Sequence, residues 1–173
     1  DPRIVAMVMS NKGLHRALRD VGVGVLTVGV GDRSVVAGLK AENLPLGGEQ
    51  SGHIVFGSDL FHIGDGTYTA LRVLEVLRSS QLPLSELAAP YQPYPQVLLN
   101  IPVTSKPPFA SIPGLQDAAK KVESELGEDG RVLLRYSGTE SLARVMVEGP
   151  SATLIEEHAH MLAGLFIRQI GVN

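Results

Sequence analysis

Apolar residues fall in dense runs in the first half of the chain and alternate strictly in the second. Residues 4–9 (Ile-Val-Ala-Met-Val-Met) and 23–28 are the runs expected of strands buried on both faces. Between them Ser10 and Asn11 offer an N-cap, and a short helix through residues 15–19 stops near Gly22. Strand, helix and strand this close predict a right-handed βαβ unit with a parallel sheet. Residues 29–32 read as a turn, 34–40 as a second short helix, 47–52 as a glycine-rich loop and 53–56 as a third strand. A longer helix opens where Asp65 or Thr67 can cap, with Ala70, Leu71, Leu74 and Leu77 as its expected buried stripe. Three strands make a thin layer, so the first half reads as a truncated α/β domain.

Prolines cluster at 83, 90, 93 and 95 around a short turn at 84–87, and the boundary is placed there. Beyond it Val97, Leu99, Ile101 and Val103 share one face of a strand, and Pro102 within it predicts an edge position. A loop at 105–113 leads to a helix whose apolar positions are Leu115, Ala118, Ala119, Val122 and Leu126, ended by Gly127. Strands follow at 131–136 and 142–148, joined by a tight loop at 137–141, with Ala143, Val145 and Val147 inward. Ser151 caps a final helix with the expected stripe Leu154, Ile155, His158, Met161, Leu162 and Leu165. The fold class is therefore α/β then α+β: a partial parallel-sheet domain over residues 1–93, then a small antiparallel sheet covered on one face by two helices over 94–173.

Composition narrows the partners. The chain has 173 residues, 44% of them hydrophobic, enough to fill a core. Its formal net charge of −3, spread evenly over both halves, argues against a nucleic-acid partner. No apolar run approaches the roughly 18 residues of a membrane span, so no membrane association is expected. Zero Cys fits a reducing, cytoplasmic compartment and excludes thiol catalysis and Cys-type zinc sites. An opening at Asp1 followed almost at once by a buried-type strand reads as the middle of a larger protein.

Three segments carry candidate chemistry. Arg135-Tyr136-Ser137-Gly138-Thr139-Glu140 leaves a strand into a turn, so a forked guanidinium, two hydroxyls and free backbone N–H groups surround one concavity. That set suits phosphate oxygens, although Ser, Gly and Thr also make ordinary hairpin turns. In Gly47-Gly48-Glu49-Gln50-Ser51-Gly52-His53, alternate residues Glu49, Ser51 and His53 share a side of an extended backbone. Carboxylate and hydroxyl suit vicinal sugar hydroxyls and imidazole can move a proton; the same residues also occur in solvated loops. Gly29-Val30-Gly31-Asp32-Arg33 follows a parallel strand where ligands gather in α/β sheets, yet lacks the third glycine of a dinucleotide motif. His158 and His160 face different sides of a helix, and His62 reads as a loop residue. Asp32, Glu42, Asp59 and Asp65 form no Asp-x-Asp cluster, so no metal site is expected in this chain.

These segments, with Val8-Met9-Ser10-Asn11, Gly64-Asp65-Gly66 and Arg144-Val145-Met146-Val147-Glu148-Gly149, occur in an order that resembles the phosphohexomutase superfamily across nearly the whole chain. The resemblance implies a four-domain enzyme represented here by most of domain 3 and by domain 4. It implies an intramolecular phosphotransferase that interconverts glucosamine 6-phosphate and glucosamine 1-phosphate through a sugar bisphosphate, with Gln50 favouring the amino sugar over mannose or glucose phosphates. The family's phosphoserine and Mg2+ loop belong to domains 1 and 2, so the cofactor site and the other domains, as partners, lie outside these residues and the chain alone is expected to be inactive. It further implies that Glu49 and Ser51 bind the sugar, with Asp32 and Arg33 as additional substrate contacts, that His53 serves in proton transfer, and that Arg135, Ser137, Gly138, Thr139 and Arg144 hold the phosphate not being transferred. Tyr136 and Ser141 stand where the family commonly has Pro or Lys and Pro, so the loop lacks rigid φ angles and is expected to be more mobile. The stretch 83–95 is the expected hinge. A non-catalytic sugar-phosphate module is the reading from a different class.

Overall fold

The computed structural model describes residues 2–57 and 62–172, and its contacts divide the chain into two compact units, Asp1–Pro93 and Tyr94–Asn173. In the first unit β1 (Arg3–Met7), α1 (Lys12–Asp20) and β2 (Gly24–Val28) form the βαβ unit, with Ile4 opposite Val25 and Met7 opposite Val28 in parallel register. Asn11 caps α1 by accepting the Gly13 N–H at 2.8 Å. α2 (Asp32–Glu42) then buries Val35 and Leu39 against Val5, Met7, Leu44 and Val55.

The sheet has five strands in the order β2-β1-β3-β4-β5, where β3 is Leu46–Gly48, β4 Ile54–Gly57 and β5 His62–Gly64. This corrects the expectation of three parallel strands. The third parallel strand is Leu46–Gly48, overlapping the start of the stretch read as loop at 47–52, and the strand expected at 53–56 runs antiparallel to it as β4. Its two glycines conceal β3 because they are there for room: a Cβ on Gly47 would lie 2.8 Å from Val35 Cγ1 and 3.0 Å from Val5 Cβ. Asp59, weighed above as a metal ligand, lies outside the described residues.

α3 (Gly66–Ser80) is capped as expected, Asp65 Oδ1 accepting the Tyr68 N–H at 2.9 Å, but its stripe is not buried. Leu71 and Leu74 are 60% and 58% exposed, Ala70 is exposed and Leu77 is half-buried. Periodicity identified an apolar face of α3 that stays largely exposed in the unit; the helix meets the sheet through Tyr68, whose ring lies 4.9 Å from Phe56. α4 (Leu84–Ala88) occupies what was read as a turn among the prolines.

In the second unit β6 (Gln96–Pro102), β8 (Leu142–Glu148) and β7 (Arg131–Tyr136) form an antiparallel sheet in the order β6-β8-β7, so Pro102 does sit on an edge strand. Ala143, Val145 and Val147 point inward onto α5 (Leu115–Leu126) and α6 (Ala152–Ile170), around Leu115, Val122, Ile155, Leu162 and Phe166. The stripe of α6 holds at Leu154, Ile155, Leu162 and Leu165, is joined by the buried Ala159, Ala163 and Phe166, and fails at Met161, which is 41% exposed. His158, expected on the stripe, is largely buried, with Nε2 3.2 Å from Glu125 Oε2 on α5.

Candidate functional site

Strand direction gathers the loops of the first unit. β1, β2 and β3 run parallel, so their carboxyl ends share one edge of the sheet; antiparallel β4 begins there and β5 ends there. That edge collects Ser10 and Asn11, the Gly31–Arg33 turn, the 49–53 loop and Asp65. Gly31 has φ 108°, a left-handed backbone that suits glycine, and its N–H donates to Met7 Sδ at 3.2 Å. Asp32 and Arg33 open α2 as exposed side chains, with the Arg33 N–H donating to Asp32 Oδ1 at 2.7 Å.

The 49–53 loop is closed by its own backbone: the Glu49 N–H donates to His53 O at 2.9 Å and the Gly52 N–H to Glu49 O at 3.0 Å, with Gly52 at φ 90°. Ser51 Oγ donates to Glu49 Oε2 at 3.1 Å, so the structure joins these two candidates directly. The other carboxylate oxygen, Glu49 Oε1, is buried and has no hydrogen-bond partner among the described residues. A pocket of about 190 Å³ lies against this side chain, lined also by Ser10, Asn11, Leu14, Gln50 and Tyr91. A buried carboxylate oxygen with no donor is costly, and a hydroxyl entering the pocket would remove that cost. His53 does not join the pair. Its ring lies against Gly64, where any Cβ would collide with the imidazole, so Gly64 is the residue that positions His53 and was not singled out for that role.

In the second unit Arg135 lies near the end of β7, exposed and directly opposite Arg144 on β8. Like charges opposed across strands repel. Glu140 relieves this by accepting from Arg144 Nη2 at 2.8 Å, while Arg144 Nε stays buried without a partner among the described residues. Ser137 is buried; its Oγ accepts the Glu140 N–H at 3.2 Å and donates to Glu140 Oε2 at 3.3 Å. Lys106 Nζ donates to Ser137 O at 2.6 Å, which adds a third cation beside the loop. Gly138 and Thr139 are exposed, and a Cβ on Gly138 would meet nothing within 4 Å, so that glycine borders open space.

Tyr136 anchors the base of this loop. Its ring lies 4.6 Å from Phe109 and 6.3 Å from Phe166, its hydroxyl donates to Pro107 O at 2.8 Å, and burial raises its pKa above 10.0. Side-chain packing here restrains the residue before Ser137 without a fixed φ. Glu140 and Lys106, which hydrogen-bond to candidate residues of this loop, were not among the candidates. Glu140 stood in the motif without a role, and Lys106, 31 residues before Ser137, left no signal.

Comparison with known proteins agrees with this architecture. Residues 1–94 match the family model "Phosphoglucomutase/phosphomannomutase, alpha/beta/alpha domain III", and residues 98–165 match "Phosphoglucomutase/phosphomannomutase, C-terminal domain". The chain belongs to the phosphohexomutase family and comprises its domains III and IV. It is 45% identical over 98% of its length to the phosphoglucosamine mutase of Koribacter versatilis, and 50% identical over 92% to that of Mycobacterium marinum. It spans 36% and 35% of those proteins, about a third of the curated relatives it matches. The crystal structure of Aspergillus fumigatus N-acetylphosphoglucosamine mutase in complex with GlcNAc-6P and magnesium shares the fold, with TM-score 0.72 and 20% identity over 94% of this chain and 38% of that one.

Proposed function

We propose that the chain is the sugar- and phosphate-binding C-terminal part of a cytoplasmic phosphoglucosamine mutase, the whole protein interconverting glucosamine 6-phosphate and glucosamine 1-phosphate by way of a sugar bisphosphate. The observation that carries this is the buried, unpartnered Oε1 of Glu49 against a pocket, beside an oxygen already fixed by Ser51. The 45–50% identity to phosphoglucosamine mutases supports the choice of sugar. In this role Glu49 and Ser51 bind sugar hydroxyls, Asp32 and Arg33 supply further substrate contacts from their neighbouring turn, and His53, held by Gly64, takes or returns a proton at its imidazole. Arg135, Ser137, Gly138, Thr139 and Arg144 hold the phosphate that is not moving.

Among the described residues no group of three His, Asp or Glu side chains is placed to hold a metal ion. We assign Mg2+, which accompanies GlcNAc-6P in the Aspergillus fumigatus structure, to the part of the relatives that this chain does not span, together with the phosphoryl donor. None of the described helices is long and apolar enough to cross a membrane.

The test uses the complete protein. Replacing Glu49 with Ala removes a charged acceptor from buried hydroxyls and should lower kcat/KM on glucosamine 1-phosphate by about 2 to 4 kcal/mol in transition-state terms. An unchanged kcat/KM would remove Glu49 from the site, and faster turnover of mannose or glucose phosphates than of the amino sugar would reassign the substrate within the family.

A further inference from the structure

The loop at 137–141 holds an anion of its own. A single oxygen, Glu140 Oε2, accepts from both Arg144 Nη2 at 2.8 Å and Ser137 Oγ at 3.3 Å. Those are two of the donors assigned above to phosphate. Ser137 is 5% exposed, so its hydroxyl has little access to water, and Arg144 Nε is buried with no partner among the described residues. The Glu140 side chain, by contrast, is 56% exposed and can move into solvent at small cost.

We propose that the Glu140 carboxylate competes with phosphate for these donors and so sets the affinity and selectivity of the loop. The inference rests on the reading of 137–141 as a phosphate site and adds a residue that opposes binding. A phosphate dianion presents three oxygens and can take Arg144 through Nη2 and the unpartnered Nε together while accepting from Ser137, which a single carboxylate oxygen cannot do. With Glu140 in place the incoming dianion meets a like charge, so binding exchanges one anion for another and its free energy is a difference between the two. Such a loop grips phosphate loosely and discriminates against anions that cannot use both arginine nitrogens.

The test titrates inorganic phosphate into the full 173-residue chain and follows the Gly138 and Thr139 amide signals and the Arg144 Nε–H signal by NMR, for wild type and for Glu140→Gln. The glutamine keeps size and one acceptor oxygen, replaces the other oxygen by an NH2 donor, and removes the charge. Glu140→Gln should bind phosphate roughly three- to tenfold more tightly at low salt. The gain should shrink as salt rises, because repulsion between exposed charges is screened whereas a packing role is not. If wild type binds and the variant binds equally or more weakly, Glu140 orders the loop rather than opposing phosphate, and the proposal fails while the phosphate site stands. If phosphate moves none of the three signals in either protein, the phosphate reading itself fails and this inference with it.

Discussion

Tyr136 holds the base of the 137–141 turn through its side chain rather than through a fixed φ. Its phenol is held neutral by burial and donates to Pro107 O, next to the turn that carries Ser137. The pKa is raised above 10.0 in the folded state, so the native chain keeps this proton at pH values where the unfolded chain has lost it. The associated stability is fully present below pH 10.0 and is lost as pH rises through the folded value. Tyr136→Phe, which lacks the hydroxyl, should unfold more easily than wild type at neutral pH by about 1 kcal/mol, the worth of one hydrogen bond. That deficit should narrow above pH 10.0 in denaturant midpoints measured across pH, and a constant gap would mean that the hydroxyl does not contribute in this way. At this same scale Glu49 and Ser51 were expected together on one side of an extended segment; the segment is a turn, closed by the Gly52 N–H on Glu49 O, and it is this turn that brings Ser51 Oγ to Glu49 Oε2. The position of His53 was not legible, since it is decided by Gly64 on a different strand.

Elements of the second unit could be read almost residue by residue. Alternation in 142–148 fixes which side chains face the helices, and Pro102, with no N–H to donate, sits on the edge strand. The first unit was harder for two reasons. Leu46-Gly47-Gly48 lacks the side chains that announce a strand, because β3 is pressed between Val5 and Val35. The direction of a strand leaves no mark in its pattern, so β4 looked like a parallel partner. α3 marks a third limit, for period 3.6 reports an apolar face and not whether anything lies on it. Leu74→Gln on α3 should therefore change the stability of this chain by less than about 0.5 kcal/mol, as at other exposed positions. Leu162→Ala, at a fully buried position on α6, should cost about 2 to 5 kcal/mol. Comparable losses in the two variants, measured by urea unfolding, would mean that the α3 face is covered.

For the whole molecule, the function proposed above divides recognition between the two units. The first presents acceptors, a carboxylate and a hydroxyl, at the carboxyl edge of a mixed sheet; the second presents cations, Arg135, Arg144 and Lys106, around a serine turn. Acceptors suit hydroxyls and cations suit phosphate, and a phosphosugar has both. This division was visible in the motifs, whereas the internal competition from Glu140 was not, because it depends on which donors a flexible side chain reaches. The chain spans about a third of its curated relatives, so recognition without turnover is expected of it. The most direct measurement is a titration of glucosamine 6-phosphate into the 173-residue chain, read by amide NMR and paired with an assay for mutase turnover. The account predicts shifts at Ser51, Gly138 and Thr139 without any need for magnesium, a loss of roughly 1 to 3 kcal/mol in affinity for Arg135→Lys, and no turnover. Turnover by the purified chain, or equal affinity in the wild type and Arg135→Lys, would contradict it.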